Sequence, residues 1–258
     1  TTVTNAKQMM IWHLSQYMDD SIRRFLSPYF VSGTAPAKNG NVVIQGMIDL
    51  KGKSYYPTPV ENCTITGGKK AEIKFYGDRI QEGSNKRARD TREHYLIQSG
   101  LLLSESGAVT VQGDETDYLT LSGKASHVDT ASGALFSRTI GGVKNIYRIR
   151  LDNLFIYDYR GALHGVGLLV GNITDNTTVD ISWVETVNYQ KVNGVYAGSA
   201  LIGQVGTMRN GAMSTENLIL DFTNINVGSG KNEGIFCAAT LIDKHYYTDN
   251  TEKNRGRV

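Results

Sequence analysis

The chain has 258 residues, of which 40% are hydrophobic and 20% are charged, and its formal net charge at pH 7 is +2. These values exclude a disordered chain, and so small a net charge gives no reason to expect nucleic acid or an anionic membrane as the partner. The sequence holds 28 Gly but only 4 Pro, which predicts many tight turns and few rigid linkers, and no apolar run is long enough to predict a membrane span.

The first predicted element is a helix over residues 5–26, where apolar side chains recur at helical spacing until Pro28 stops the pattern. The apolar positions are Ala6, Met9, Met10, Leu14, Tyr17, Met18, Ile22 and Phe25. The polar side of this helix is not strongly basic, which disfavours a helix that lies on a membrane surface.

Short apolar segments at residues 42–44, 47–50, 64–66 and 71–75 then predict the first strands. Residues 82–92 are basic and flanked by Gly and Ser, a pattern typical of a solvated loop, with a phosphate or polyanion contact as the alternative. No aromatic residue interleaves with these charges, so a nucleic-acid interface is not predicted.

From residue 101 onward, short blocks of apolar residues flanked by small ones recur at a nearly constant interval. Their central residues are Leu102, Leu135, Leu169, Leu201 and Ile235, which stand 33, 34, 32 and 34 residues apart. About nineteen residues after three of these anchors a second apolar segment recurs, around Leu154, Val187 and Leu220. Like residues at like phase are expected where strands stack in parallel and share one interior.

The sequence therefore predicts an all-β fold, a right-handed parallel β-helix (solenoid) over residues 41–243 with an N-terminal α-helical cap within residues 1–40. A cap is expected there because an open solenoid end exposes unpaired strand edges. Residues 244–258 have almost no apolar content and predict a flexible tail or a connection to a missing domain. The start at Thr1, without Met or a signal peptide, suggests an excised piece of a longer protein.

Two of the blocks, Gly-Leu-Leu-Val-Gly at 167–171 and Ser-Ala-Leu-Ile-Gly at 199–203, resemble the motif of the GLUG repeat of secreted and cell-wall proteins, mostly bacterial. Residues 47–57 are similar to a segment that often precedes such repeats. The resemblance covers about residues 42–242 and implies a secreted or surface location, but no reaction. The zinc protease motif H-E-x-x-H of some proteins with these repeats does not occur around His13, His94, His127, His164 or His245.

Acidic residues could form a catalytic column if neighbouring turns of the solenoid aligned them. Asp152, Glu185 and Glu216 follow their anchors by 17, 16 and 15 residues, and stacked carboxylates would stand about 5 Å apart, as in retaining glycosidases. Asp152, Glu185 and Asp158 are the residues to test for catalysis, although the alignment is loose and acids on a solvated turn are the favoured explanation. A calcium site built from the same acids lacks the expected repeat motif.

No other motif predicts a metal site, a cofactor or a catalytic residue. Cys63 and Cys237 are interpreted as buried apolar residues, since neither stands in a metal-binding pattern. Trp12 and Trp183 could together stack on a sugar, but a structural role is favoured for each.

Two functions remain open. The favoured one is a structural or adhesive module on a bacterial surface or outside the cell, a rigid rod that displays a binding face to a glycan or protein or associates with copies of itself. The alternative is a carbohydrate-active enzyme, a glycosidase or polysaccharide lyase, with an acidic groove along the solenoid. Repeats without long inserted loops favour the module over the enzyme.

Overall fold

The computed structural model describes residues 1–50, 57–76, 100–127, 133–158, 167–188, 200–210 and 212–226. Over these residues the chain is mostly β-strand, with helices near its N-terminus, so the all-β prediction is confirmed. The predicted loop at residues 82–92, the anchor Ile235, Cys237 and the predicted tail at residues 244–258 all lie outside the described residues. In the described part, no helix is long and apolar enough to cross a membrane.

The N-terminal segment is helical in several pieces rather than in one. It contains β1 (Thr2–Val3), α1 (Ala6–Ser15), α2 (Asp20–Arg23) and a 3-10 helix (Arg24–Tyr29). Asn5 caps α1 by accepting a hydrogen bond from the Gln8 N–H at 3.0 Å. The predicted continuous helix over residues 5–26 is wrong: α1 ends at Ser15, and the buried Arg23 guanidinium donates to the carbonyls of Ser15 and Met18, which a continuous helix would use in its own backbone hydrogen bonds.

The remaining strands run through the rest of the described chain. They are β2 (Val42–Ile44), β3 (Met47–Asp49), β4 (Thr58–Pro59), β5 (Cys63–Gly67), β6 (Glu72–Tyr76), β7 (Leu102–Ser104), β8 (Ala108–Gln112), β9 (Leu119–His127), β10 (Phe136–Asp158), β11 (Gly167–Val187), β12 (Ala200–Val205), β13 (Thr207–Arg209), β14 (Ala212–Ser214) and β15 (Ile219–Asn226). The strands predicted between residues 42 and 75 are all present, because alternating β-branched residues suit a half-buried strand.

Three rows of parallel strands meet in β10 and β11. The first row is β1, β2, β5, β8, β10, β11 and β15. The second is β3, β6, β9, β10, β11 and β15, and the third is β4, β7, β10, β11 and β12. Successive portions of β10 pair with β7, then β8, then β9, so this single strand belongs to all three rows.

Residues in the left-handed backbone region let β10 and β11 change direction between rows. Between the third and the first row these are Gly142 in β10 and Asn176 in β11, with φ of 72° and 55°. Gly and Asn adopt this region at the lowest cost, which explains their use at the bends. The Asn217 amide donates to the Asn176 side-chain oxygen at 2.9 Å, so equivalent bends are joined by their side chains.

The three rows enclose one apolar core. A representative column of inward side chains is Ile65, Val111, Ile146 and Ile181, which are fully buried, followed by the half-buried Phe222. The same core cluster reaches Met9 and Trp12 on α1, so the helix packs against the interior that the strands build. Each fully buried aliphatic side chain contributes about 1.5–3 kcal/mol relative to exposure.

The four predicted anchors within the described residues lie in one row of parallel strands. The N–H of Leu135 donates to the carbonyl of Leu169, and Val170 pairs with Ile202, which places Leu201 opposite Leu169. Leu102 pairs with Phe136, one residue beyond the predicted partner Leu135. The second apolar segments, around Leu154, Val187 and Leu220, do not pair with one another as predicted. Leu220 pairs with Val179, and Val187 pairs with Asp152.

An antiparallel hairpin, β13–β14, projects from the parallel rows. The Arg209 guanidinium in the hairpin lies 2.6 Å from the carboxylate of Asp175, whose side chain is only 6% exposed. Thr207 donates to the same carboxylate at 2.7 Å. The buried acid therefore fastens the hairpin to β11.

Candidate functional site

The side chains that face outward from the first row form a polar surface, which we call the ladder face. It consists of Thr64, Thr66, Thr110, Gln112, Asn145, Tyr147, Asp180, Ser182, Asp221 and Thr223. Neighbouring strands are linked across it: Asn145 donates to Thr110 at 3.3 Å, and the Tyr147 hydroxyl donates to Asp180 at 3.1 Å. Burial raises the pKa of Tyr147, and the bond to Asp180 raises it further.

One edge of the ladder face is a column of bends between the first and second rows. Arg148, Trp183 and Asn224 occupy equivalent positions there, with φ of 51°, 55° and 53°. Asn tolerates this left-handed conformation, whereas a residue such as Trp or Arg pays about 1–2 kcal/mol for it. Backbone strain of this kind clusters at functional sites, so the two adjacent strained bends, at Arg148 and Trp183, indicate a candidate site.

A groove with a volume of about 500 Å³ opens along these bends. It is lined by Thr66, Gln112, Gly113, Asp114, Glu115, Tyr147, Arg148, Ser182 and Trp183. Because these residues come from β5, β10, β11, β8 and the turn after β8, the groove runs along the stacking direction, in which strands are about 4.8 Å apart. Its volume falls within the range of about 300–1,000 Å³ that is typical of small-molecule sites.

Trp183 supplies the aromatic surface of the groove. Trp183 is 49% exposed, so burial of the indole in the core does not offset the cost of its strained backbone. An indole combines a large apolar face with one N–H donor, which suits it to binding surfaces that are partly wet. Tyr147, one strand away, lines the same groove with its hydroxyl already fixed by Asp180.

A compact turn after β8 forms the acidic wall of the groove. The Asp114 carboxylate accepts hydrogen bonds from the backbone N–H groups of Thr116 at 2.7 Å and Asp117 at 2.6 Å. The bond from Thr116 is the main cause that lowers the pKa of Asp114, so this side chain is an anion at neutral pH. Arg148 donates to the Asp114 carbonyl at 3.1 Å and so ties the turn to the bend column.

Gly113 lets this turn lie close to the bend. A Cβ atom at this position would be 2.2 Å from the Asp117 carbonyl oxygen and 2.8 Å from the Arg148 carbonyl oxygen. No side chain fits in that space, so the geometry of the acidic wall depends on this glycine.

The acids that the sequence suggested for catalysis are not brought together as a column. Arg150, not an acid, pairs with Glu185, and the two side chains form an ion pair with Nε and Oε1 2.5 Å apart. Asp152 pairs with Val187 and accepts a hydrogen bond from Asn188 at 2.7 Å. The Arg150 guanidinium also lies over the Tyr118 ring, 4.7 Å from its centroid.

The other suggested acids lie elsewhere. Asp158 is the last residue of β10, where its backbone pairs with His127. Glu216 is exposed in the turn before β15, and its carbonyl accepts the Asn176 N–H at 2.8 Å. In the described ranges, no group of three or more His, Cys, Asp or Glu side chains could hold a metal ion.

Trp12 and Trp183 do not form a shared sugar platform: Trp12 is buried in the core on α1, in agreement with the structural role favoured for it, whereas Trp183 is half exposed and lines the groove. His13, next to Trp12, is also buried, and burial lowers its pKa. Cys63 is a buried free thiol, as its interpretation as a small apolar residue requires.

A buried lysine, Lys144, was missed by the sequence reasoning. It occupies an inward position of β10 between Val109 and Val179 and has no solvent exposure. Its ammonium donates to the carbonyls of Ser106, Gly107 and Gly141 at 3.2, 3.0 and 2.5 Å, and burial lowers its pKa to about 8. All three donors are used, which identifies Lys144 as a structural clamp of the bend.

The groove was only partly visible in the sequence. Trp183 stands out in the sequence as one of two tryptophans, but Arg148, Tyr147 and Asp114 belong to no recognisable motif. Trp183 and Asn224 occupy equivalent bends, because the residues on either side of them pair. They stand 41 residues apart, whereas the anchors recur at about 33 residues, so the anchor interval does not reveal this equivalence. The hairpin β13–β14 shifts the phase and hides the equivalence.

The chain matches no protein-family model, no curated protein and no solved structure.

Proposed function

We propose that the chain is a right-handed parallel β-solenoid, closed at its N-terminal end by α1, that works as a structural or adhesive module outside the cell or on a cell surface. The observation that carries this proposal is the parallel register of the first row, from β1 to β15, over one apolar interior. Such a register supports the solenoid because each strand extends the same interior by one step.

The ladder face supports the adhesive part of the proposal. Its side chains are polar, repeat at the strand spacing of about 4.8 Å and are linked to one another across strands, which makes the surface flat and rigid. A rigid surface loses little conformational entropy when a partner binds, so modest contacts can add up along its length. The partner in this proposal is a glycan or a protein of a host or bacterial surface, or another copy of the chain.

A matched pair of variants tests the adhesive role. Thr110→Tyr places a bulky residue on the ladder face, and Thr120→Tyr places the same residue on the second row, where Thr120 pairs with Arg150. Both threonines are half-buried and Tyr is compatible with strands, so both variants should fold. The binding of each to arrays of glycans and surface proteins is measured together with its melting temperature.

We expect Thr110→Tyr to weaken the binding of the wild-type ligand at least tenfold and Thr120→Tyr to leave it unchanged. Sedimentation and electron microscopy at high concentration test association between copies. Failure of the wild type to bind any array member, together with monomers at every concentration, would overturn the adhesive role. Release of reducing sugar that Glu185→Gln abolishes would instead favour an enzyme.

A further inference from the structure

We propose that the groove beside Trp183 binds a neutral pyranose sugar within a glycan chain, with the Trp183 indole stacked on the sugar ring. The inference deepens the proposed adhesive function and rests on it, because the groove opens at the edge of the ladder face.

The first support is the conformation of Trp183. The bend column accepts Asn at position 224, and Gly113 stands at the start of the equivalent turn after β8, so the fold itself does not require a large aromatic residue there. Trp183 nevertheless adopts φ of 55° with half of its side chain in solvent. A strained, exposed indole gains its stabilisation when a flat apolar surface covers it, and the C–H face of a pyranose ring is such a surface.

The second support is the polar lining. Sugar hydroxyl groups both donate and accept hydrogen bonds, so a sugar site needs both kinds of partner in close reach. The groove offers the Gln112 amide, the hydroxyls of Thr66 and Ser182, and the Asp114 carboxylate. Because the Asp114 turn is held by its own backbone bonds, its carboxylate keeps a fixed position without the ligand.

The charge of the lining selects the class of sugar. The lining includes two acidic residues, Asp114 and Glu115, and one basic residue, Arg148, whose guanidinium already donates to the Asp114 carbonyl. A uronic acid, a sialic acid or a sulfated sugar would bring an anion toward two carboxylates in a site with little opposing charge. The ligand is therefore a neutral sugar.

The orientation of the groove indicates a chain rather than a free monosaccharide. The lining extends from Thr66 on β5 to Trp183 on β11, with β8 and β10 between them. Strand spacing gives this stretch a length of about 14 Å, which is enough for several linked sugar rings to lie along the stack.

The two tryptophans of the chain provide the assay. Trp12 is 1% exposed and Trp183 is 49% exposed, so quenching of tryptophan fluorescence by acrylamide reports mainly on Trp183. The probes are linear trisaccharides of glucose, mannose, galactose and N-acetylglucosamine, with trigalacturonate as the anionic counterpart. We expect at least one neutral trisaccharide to protect Trp183 from quenching, and trigalacturonate to give no protection.

Trp183→Asn is the matched variant, because Asn224 shows that the same column accepts this residue at nearly the same φ. We expect the affinity for the protecting trisaccharide, measured by calorimetry, to fall at least tenfold, while the melting temperature stays the same or rises. Trp183→Phe should retain part of the affinity, since it keeps a smaller aromatic face.

The results separate this inference from the proposed adhesive function. If Trp183→Asn binds the neutral trisaccharide as tightly as the wild type, or if only trigalacturonate protects Trp183, the inference is overturned although the ladder face can still be adhesive. If no trisaccharide binds while the arrays show a protein partner sensitive to Thr110→Tyr, the inference alone fails. If neither assay shows binding, both proposals fail.

Discussion

The buried Lys144 makes the stability of this protein depend on pH in an unusual direction. A lysine without solvent exposure carries its charge at a cost, and burial lowers its pKa from 10.5 to about 8. Between these two pH values the unfolded chain binds more protons than the folded one, so stability rises with pH. The free-energy cost of burying the charged lysine is fully present below pH 8 and disappears above pH 10.5.

The shift sets the size of the effect. One pKa unit corresponds to about 1.4 kcal/mol, so the full penalty is about 3 kcal/mol, of which about 2 kcal/mol should be recovered between pH 7 and pH 9.5. Cys63, two strands away from Lys144, changes the stability with pH in the opposite direction. Burial raises the pKa of its thiol from 9.0 to about 11, so the unfolded thiol ionises first and stability falls between these values.

Urea unfolding in a Cys63→Ala background isolates the lysine. The free energy of unfolding is measured from pH 7 to pH 9.5 with and without Lys144→Met, and Lys69→Met, at an exposed position, is the control. The stability of the protein with Lys144 should rise by about 2 kcal/mol relative to Lys144→Met over this range. The Lys69→Met variant keeps Lys144, so the difference between its stability and that of the Cys63→Ala parent should not change with pH. If the free energies of unfolding with and without Lys144→Met differ by the same amount at every pH, the reasoning is refuted. The three carbonyls would then fully compensate the burial of the ammonium.

Three further substitutions test the bends and the hairpin. Gly113→Ala should lower the melting temperature by several degrees in a thermal scan, since its Cβ would lie 2.2 Å from the Asp117 carbonyl oxygen, and an unchanged melting temperature would contradict the close approach. Asp175→Asn should cost about 1–3 kcal/mol in urea unfolding and speed hydrogen exchange in β13–β14, because Arg209 loses its anion; unchanged exchange would show that other contacts hold the hairpin. Trp183→Asn should raise the free energy of unfolding by up to about 1 kcal/mol, because Asn relieves the strained backbone, and a clear loss would assign the indole a packing role.

The strands could be predicted from the sequence because their chemistry is local. Alternating β-branched residues placed four strands between residues 42 and 75 to within one residue, although the short strand β4 was not predicted. The predicted continuous helix over residues 5–26 failed: α1 ends at Ser15, and Arg23 reaches back to the carbonyls of Ser15 and Met18. A contact of this kind between a side chain and a distant backbone leaves no periodic signal.

Register was harder to predict than the strands themselves. The anchors Leu135, Leu169 and Leu201 lie in one row, but Leu102 pairs with Phe136, and Leu220 pairs with Val179 rather than with the predicted Val187. The second error has a physical origin in the hairpin β13–β14, which adds residues between β12 and β15 without adding a step to the stack. A constant interval in sequence is therefore a reliable guide to stacking only where no strand pair is inserted.

The same reasoning explains why carboxylates counted from the anchors did not align. An offset of one or two residues moves a side chain from one column to the next, and Glu185 accordingly faces Arg150 while Asp152 faces Val187. The bends behave differently, because left-handed residues stand at the same phase in three successive strands, β10, β11 and β15. Arg148, Trp183 and Asn224 keep that phase despite the hairpin. In a stacked fold, a bend occupied by a residue that the backbone disfavours therefore marks a position that holds its phase, whereas an acid counted from an anchor does not.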